Sequence, residues 1–152
     1  MRMNNMTLDK TYQALIADRI YLGGAKDVPA MVENEGVQIV VDLREESQGC
    51  ESSDPSVTWV KIPLGDNATE AEDKLFAQAI QAVVSAYHQK KKVAFHCGGG
   101  KGRTGTVAVG VLLELGLCKS IEEAEALAKS IRPVINVKPN QRASLVKLHH
   151  GV

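Results

Sequence analysis

A cysteine and an arginine six positions apart enclose a glycine-rich run about two-thirds of the way along the chain. The run reads His96-Cys97-Gly98-Gly99-Gly100-Lys101-Gly102-Arg103-Thr104-Gly105. A cysteine thiolate is a nucleophile, and an arginine guanidinium offers two parallel N–H donors to the oxygens of a phosphate. Glycines between the two allow the main chain to curl around a small anion. The spacing therefore indicates a site where sulfur attacks a bound phosphate.

The hydrophobic pattern around this run predicts a buried strand before it, at 92–96, and a buried helix after it, at 103–115. Amide groups at the start of a helix lack partners within the helix and lie at the positive end of its dipole. We expect the loop amides to converge there on one oxyanion, and the pKa of Cys97 to fall from ~8.5 into the range ~3.5–7.5. The residues of this expected phosphate-binding loop are Gly98, Gly99, Gly100, Lys101 and Gly102.

The order His-Cys, five residues, Arg, Ser or Thr, Gly resembles the signature of the protein-tyrosine-phosphatase superfamily. The loop follows about two-thirds of the chain, which is similar to the small dual-specificity branch. The resemblance implies one catalytic domain over residues 1–152, with a central, mostly parallel sheet of four to five strands flanked by helices. It also implies hydrolysis of phosphomonoesters through a cysteinyl-phosphate, without a cofactor or a metal, on phosphotyrosine and also phosphoserine or phosphothreonine in proteins.

The resemblance assigns further roles residue by residue. That branch supplies a general acid from a loop after an upstream strand, and Asp66, in Pro63-Leu64-Gly65-Asp66-Asn67, fits that place 31 residues before Cys97. Thr104 would hydrogen-bond the departing sulfur, His96 would brace the loop, and Gln141 would lie where the superfamily positions water.

Several charged residues near the predicted strand ends have more than one possible role. Asp42, Asp54 and Glu70 compete with Asp66 for the acid role, and Asp66 could instead cap the helix that begins near Thr69. Arg44 follows a strand end, where it could touch the substrate or form a solvated ion pair with Glu45 or Glu46.

Three other functions fit part of the pattern. Lys101 matches a loop lysine of phosphoinositide 3-phosphatases, although their second basic loop residue would fall at Gly98. The same loop could also bind a phosphopeptide without turnover. Gly100, Gly102 and Gly105 satisfy a dinucleotide-binding pattern, but no acidic residue ends a second strand about 20 residues later, as an oxidoreductase of that type requires.

The elements that would position these residues form an alternating α/β series with parallel central strands. A loop is predicted over 44–55 and strands over 20–23, 37–43, 58–63 and 92–96. Helices are predicted from Asp27 to Gly36, 69–89, 103–115 and 139–149. A further helix begins at the capping box of Ser120 and Glu123 and carries an apolar face made of Ile121, Ala124, Leu127 and Ile131.

Composition restricts the partners. The 152 residues are 44% hydrophobic, and 18 basic residues balance 18 acidic ones, so no overall field would attract a nucleic acid or a membrane surface. Three cysteines form no CxxC pair, and no apolar stretch reaches the ~20 residues that cross a bilayer. We expect a cytoplasmic monomer with reduced thiols that acts on a phosphorylated protein or another phosphomonoester.

Overall fold

Strands and helices alternate along residues 11–68 and 72–149, which are the residues that the computed structural model describes. The strands are β1 (Gln13–Ile16), β2 (Ile20–Gly24), β3 (Ile39–Asp42), β4 (Thr58–Lys61) and β5 (Val93–Cys97). The helices are α1 (Val28–Glu35), α2 (Asp73–His88), α3 (Gly102–Glu114), α4 (Ile121–Ile131) and α5 (Pro139–Leu148).

The five strands form one mixed sheet in the order β1-β2-β5-β3-β4. β5 lies at its centre and pairs in parallel with β2 and β3, β4 extends the parallel part, and β1 is antiparallel to β2. The prediction of a mostly parallel sheet with up to five strands is confirmed. The sequence analysis missed β1, because this short edge strand has an irregular register and no alternation of buried and exposed side chains.

Helices cover both faces of the sheet, so its central strands are buried on both sides. Successive residues of a strand point to opposite faces. Tyr21, Val40 and Ala94 pack with α1 on one face. Their neighbours pack on the other face with the helices that follow β4; they are Leu22, Val41 and Phe95. This arrangement explains why the strands read as continuous apolar runs.

The buried helix predicted after the glycine-rich loop is α3, in which every residue from Gly102 to Leu112 is buried. α3 packs closely against α2, because a Cβ atom at Gly110 would stand 2.7 Å from Cγ1 of Ile80. Close packing of this kind leaves little freedom of position. It therefore fixes the N-terminus of α3 at the carboxyl end of β5.

Helix ends follow local signals with two departures. α1 ends at Gly36, whose φ of 73° is left-handed. Ser120 Oγ accepts from Glu123 N at 3.0 Å, but Glu123 Oε1 accepts from Lys119 N at 2.7 Å instead of closing the box on Ser120. Within α4, Leu127 is 39% exposed, so the prediction that it lies on the apolar face was wrong. Ala128 is buried on that face instead.

Candidate active site

The carboxyl ends of β3, β4 and β5 open onto a cleft of about 380 Å³. It brings together most of the residues predicted for the site, namely Cys97, Gly98, Gly99, Lys101, Gly102, Arg103 and Asp66. Three further residues line it that the sequence analysis did not assign to it: Glu46, Asn136 and Lys138. His96, Gly100 and Thr104 lie beneath this surface, where they are buried.

The sulfur of Cys97 lies at the floor of the cleft, where β5 ends, and its side chain is almost fully buried. Thr104 Oγ1 donates to it at 3.1 Å and Gly100 N donates at 3.3 Å. Thr104 is in the first turn of α3, so the sulfur faces the N-terminus of that helix. Donors on this side stabilise negative charge on sulfur.

The carbonyl groups of the loop all point away from the cleft. Gly98 O accepts from Ala25 N at 3.0 Å, and Lys101 O accepts from Asn136 N at 3.1 Å. The carbonyls of the two intervening residues accept from Arg132, at 2.8 Å from Nε to Gly100 O and at 3.3 Å from Nη2 to Gly99 O. In a trans peptide the carbonyl and the next N–H point in opposite directions. The amides of residues 99–102 therefore point inward, as a nest requires.

Gly100 is the position where the loop requires a glycine. Its φ is 73°, a left-handed conformation that side chains disfavour. A Cβ atom there would also lie 2.7 Å from the backbone carbon of Gly23. The loop consequently packs against the end of β2, which closes the cleft from behind.

Arg103 is buried and held on one side of its guanidinium. Nη1 donates to Leu64 O at 2.8 Å, and Nη1 and Nη2 each lie 3.0 Å from a carboxylate oxygen of Glu46. Burial by itself lowers the pKa of Arg103, but the hydrogen bonds to Glu46 and the nearby negative charges, Glu46 and Asp66 among them, together raise the pKa. The bonds from Arg103 lower the pKa of Glu46, so that carboxylate stays ionised.

Beside the second N–H of Nη2, the Nε atom of Arg103 is left as a donor for a ligand. It is buried and has no hydrogen-bond partner within the described residues. The nearest carboxylate oxygen opposite it is Oδ1 of Asp66, at 3.8 Å. An oxyanion entering between these two groups would satisfy a buried donor that otherwise costs free energy.

Asp66 lies at the mouth of the cleft with about half of its side chain exposed. It does not cap α2, because that helix begins at Asp73, with Glu72 at its N-cap. Among its competitors, Asp54 lies with the amino ends of β3 and β4, at the opposite edge of the sheet. Glu70 and the predicted helix start at Thr69 lie outside the described residues.

Asp42 is a fully buried structural carboxylate at the end of β3. Arg44 Nε and Nη2 donate to it at 2.9 and 3.0 Å, Ser47 Oγ at 2.6 Å and Trp59 Nε1 at 3.0 Å. Burial raises the pKa of Asp42, but these hydrogen bonds outweigh burial and lower the pKa to about 2. A carboxylate that accepts all these hydrogen bonds is not available to donate a proton.

Arg44 corrects an expectation from the sequence. It does not line the cleft, and among the described residues its ion pairs are with Asp42 and with Glu51, at 2.9 Å from Nη2, not with Glu45 or Glu46. The Asp42 carboxylate binds the guanidinium because both leave the end of β3 on the same side.

His96 links this buried network to the loop. Its Nδ1 lies 3.0 Å from Cys97 O, and its Nε2 lies 3.8 Å from Oδ1 of Asp42, beyond hydrogen-bond distance. Burial lowers the pKa of His96, which favours the neutral ring. A neutral ring facing a carbonyl carries its proton on Nδ1. His96 therefore braces the peptide that presents Cys97.

Gln141 lies behind the loop and does not line the cleft. It is buried, and its Oε1 accepts from Lys138 N at 2.9 Å and from Thr106 Oγ1 at 3.3 Å. The side chain thus joins the first turn of α5 to α3.

Comparison with known proteins agrees with this geometry. The sequence-family model described as dual specificity phosphatase, catalytic domain, matches residues 20–150. The chain belongs to the dual specificity phosphatase family. It is 25% identical over 135 residues to the human dual specificity protein phosphatase 9, covering 88% of this chain and 34% of that protein. A relative from Invertebrate iridescent virus 3, 067L, is 27% identical over 146 residues, which cover 90% of this chain and 52% of that protein.

Solved structures show the same fold. Human DUSP28 matches with a TM-score of 0.78 and 20% identity, over 90% of this chain and 91% of that one. PTPMT1 matches with a TM-score of 0.76 and 20% identity, over 91% and 94% of the two chains. The chain spans about half or less of the length of the two curated relatives, so the similarity covers only part of each relative.

Three residues that shape this dual specificity phosphatase site carried no signal in the sequence. Glu46, Arg132 and Lys138 reach it from loops that are 57, 32 and 72 residues away from their partners Arg103, Gly100 and Asp66. None of them belongs to a short motif.

Among residues 11–68 and 72–149, none of the helices combines the length and the apolar composition that a membrane span requires.

Replacement of Asp42 by asparagine tests the buried network. Because the folded pKa of Asp42 lies below its unfolded value, its contribution to stability is fully present above about pH 4 and is lost as the pH falls toward 2. We expect Asp42→Asn to lower the free energy of unfolding at pH 7 by about 2–4 kcal/mol. Denaturant titration at pH 7 and at pH 3 measures the difference, which should shrink at the lower pH.

The matched control is Asp54→Asn, because Asp54 is exposed and its carboxylate bonds only to Ser56 among the described residues. It should change stability little at either pH. A loss for Asp42→Asn that is the same at pH 3 and pH 7 would contradict the ionised network.

Proposed function

We propose that this domain hydrolyses phosphomonoesters through a cysteinyl-phosphate intermediate, with phosphoproteins as substrates and phosphotyrosine first among them. One observation carries the proposal: the sulfur of Cys97, the inward amides of residues 99–102 and the free Nε of Arg103 face one small cleft. This arrangement matches a tetrahedral dianion bound above a nucleophile.

The first step transfers the phosphoryl group to sulfur. The loop amides and Arg103 bind the oxygens of the phosphate, and the thiolate of Cys97 attacks phosphorus from below. As the S–P bond forms, the bond from phosphorus to the ester oxygen breaks. Asp66, at the mouth of the cleft, gives its proton to that oxygen, so the product leaves as a neutral alcohol or phenol.

The second step returns the enzyme to its starting state. The Asp66 carboxylate takes a proton from water, whose oxygen attacks phosphorus while the S–P bond breaks. The electron pair returns to Cys97, where Thr104 Oγ1 and Gly100 N donate to the sulfur. Inorganic phosphate then leaves, and Asp66 is again protonated.

Glu46 has a role in orienting the guanidinium. Its two hydrogen bonds engage Nη1 and Nη2 of Arg103 and leave Nε facing Asp66 across the cleft. A bidentate bond to phosphate uses Nε together with the second N–H of Nη2, so Glu46 and the phosphate bind two different sides of the guanidinium. A fixed guanidinium loses little conformational entropy on binding.

Peptide substrates fit the open surroundings of the site. A second cavity of about 690 Å³ adjoins the cleft and shares Gly98, Gly99 and Lys101 with it. Lys26, Pro133 and Val134 also line it, so it combines positive charge with an apolar wall. Residues beside a phosphotyrosine could lie there. We further propose that the domain acts as a monomer in the cytoplasm.

Phosphoinositides or inositol phosphates are the second candidate substrates. Lys101 is exposed at the loop and faces both cavities, where it could bind a further phosphate. The matching structure of PTPMT1 is a complex with PI(5)P. The mechanism would be the same, because only the group attached to the phosphate changes.

Replacement of Cys97 by serine tests the nucleophile. A serine hydroxyl is neutral at pH 7, so we expect Cys97→Ser to abolish hydrolysis of an aryl phosphate while inorganic tungstate still binds. Turnover of p-nitrophenyl phosphate and calorimetric titration with tungstate measure the two properties. Cys50→Ser, at a free thiol outside the cleft, should keep full activity. Full turnover by Cys97→Ser would refute the proposed nucleophile.

Replacement of Asp66 by asparagine tests the general acid. Because the amide cannot donate a proton to the leaving oxygen, we expect kcat/KM for phenyl phosphate to fall by roughly 10²-fold or more. Asp54→Asn at the far edge of the sheet should leave kcat/KM unchanged. A fall of less than about threefold for Asp66→Asn would assign the acid role to another residue, since removal of a general acid costs far more.

A substrate panel distinguishes the candidate substrates. At equal concentration, we expect phosphotyrosine peptides to be hydrolysed faster than phosphothreonine peptides and faster than phosphoinositides in mixed micelles, because an open site admits a flat aryl phosphate readily. Release of inorganic phosphate gives the three values of kcat/KM. A higher value for a phosphoinositide would favour the second candidate and leave the mechanism intact.

A further inference from the structure

Lys138 holds the loop that carries Asp66. Its Nζ donates to Asp66 O at 2.8 Å and to Asn67 Oδ1 at 3.1 Å, and it lies 3.4 Å from Asp66 Oδ1. An ammonium group has three N–H donors, so these oxygens can use all of them. The lysine side chain therefore spans from the start of α5 to two consecutive residues of the loop.

The main chain beneath Lys138 is fixed. Its N–H donates to the buried Oε1 of Gln141 at 2.9 Å, and Pro139 starts the helix immediately afterwards. Asn140, in the first turn of α5, adds a second link, because its Nδ2 donates to Ala68 O at 2.8 Å. The N-terminus of α5 thus holds the loop at residues 66–68 from a rigid base.

The loop is also held where it begins. Leu64 O accepts from Arg103 Nη1 at 2.8 Å and from Glu45 N at 3.0 Å. Between these two supports, the Asp66 carboxyl faces Arg103 Nε at 3.8 Å, which is beyond hydrogen-bond distance. The position of that carboxyl over the cleft consequently depends on how its main chain is held. Gly65 N donates to the Glu72 carboxylate at 3.2 Å, and Lys138 bonds to Asp66 O itself.

We propose that Lys138 is a positioning residue that keeps Asp66 over the ester oxygen of the substrate. The proposal rests on the general-acid role proposed for Asp66 above. Removal of the ammonium frees the loop to move away, so fewer encounters find the acid in place. The phosphate-binding loop keeps its own supports, because Arg132, Asn136 N and Ala25 N do not involve Lys138.

Leaving-group dependence tests this role. kcat/KM reports the steps up to release of the alcohol or phenol, and an acidic phenol leaves without much help from a general acid. We expect Lys138→Ala to lower kcat/KM for phenyl phosphate by about 10-fold or more, but kcat/KM for p-nitrophenyl phosphate by less than about threefold. Inhibition by tungstate should stay within about twofold of the unchanged protein, since Lys138 acts on the loop and not on the bound anion.

Three further variants make the comparison specific. Lys138→Arg, which keeps the charge and the donors, should recover most of the activity on phenyl phosphate. In the Asp66→Asn background, Lys138→Ala should cause no additional loss, because a residue that acts through Asp66 has nothing left to position. Lys147→Ala, an exposed lysine later in α5, is the matched control and should behave like the unchanged protein.

Each contrary outcome overturns the proposal in a recognisable way. Equal losses on the two esters, or weaker tungstate inhibition, would mean that Lys138 binds the phosphate directly. Unchanged kcat/KM for phenyl phosphate would mean that the loop stays in place without Lys138, even if Asp66→Asn is slow. A normal rate for Asp66→Asn would remove the acid role and this proposal together. Lys138→Met retains most of the side-chain packing, so it replaces Lys138→Ala if thermal unfolding shows that the alanine variant is unstable.

Discussion

The site depends on one constraint on the main chain: the carbonyls of residues 98–101 are all held on the outer side of the loop. Planar peptides then turn the following amides inward, over the sulfur of Cys97. This loop needs hydrogen-bond donors from other segments, because a buried carbonyl without a donor costs free energy. Ala25, Arg132 and Asn136 supply those partners from the end of β2, the end of α4 and the segment before α5.

A chain without net charge can still gather positive groups in one cleft. The loop amides and Arg103 face that cleft. Glu46, which also lines the cleft, pairs with Arg103, and the buried Asp42 pairs with Arg44. These pairs keep the buried cations in place, while burial favours the neutral ring of His96.

The two residues proposed as nucleophile and general acid rest on different kinds of support. Cys97 and Arg103 lie on the central strand and on a buried helix, where close packing leaves little freedom of position. Asp66 is exposed on a loop between β4 and α2, and it is held by polar links to α5. A nucleophile needs a constant position beneath the phosphate. The loop that carries the acid must let the substrate enter and the product leave, which favours exposed hydrogen bonds that break and re-form readily.

The sequence alone determined the proposed nucleophile, the guanidinium that accompanies it and the apolar elements around them, because covalent spacing and periodic burial are local properties. Cys97 and Arg103 flank one short loop, and β2, β3 and β5 are visible in the sequence as apolar runs. Tertiary structure decided which distant residues pair with these side chains and which side chains are exposed. Arg44 pairs with Asp42 and Glu51 and not with the glutamates beside it, β1 forms without a periodic signal, and Leu127 faces outward. The partners Glu46, Arg132 and Lys138 come from distant segments, and only the packing of sheet and helices brings such segments into contact.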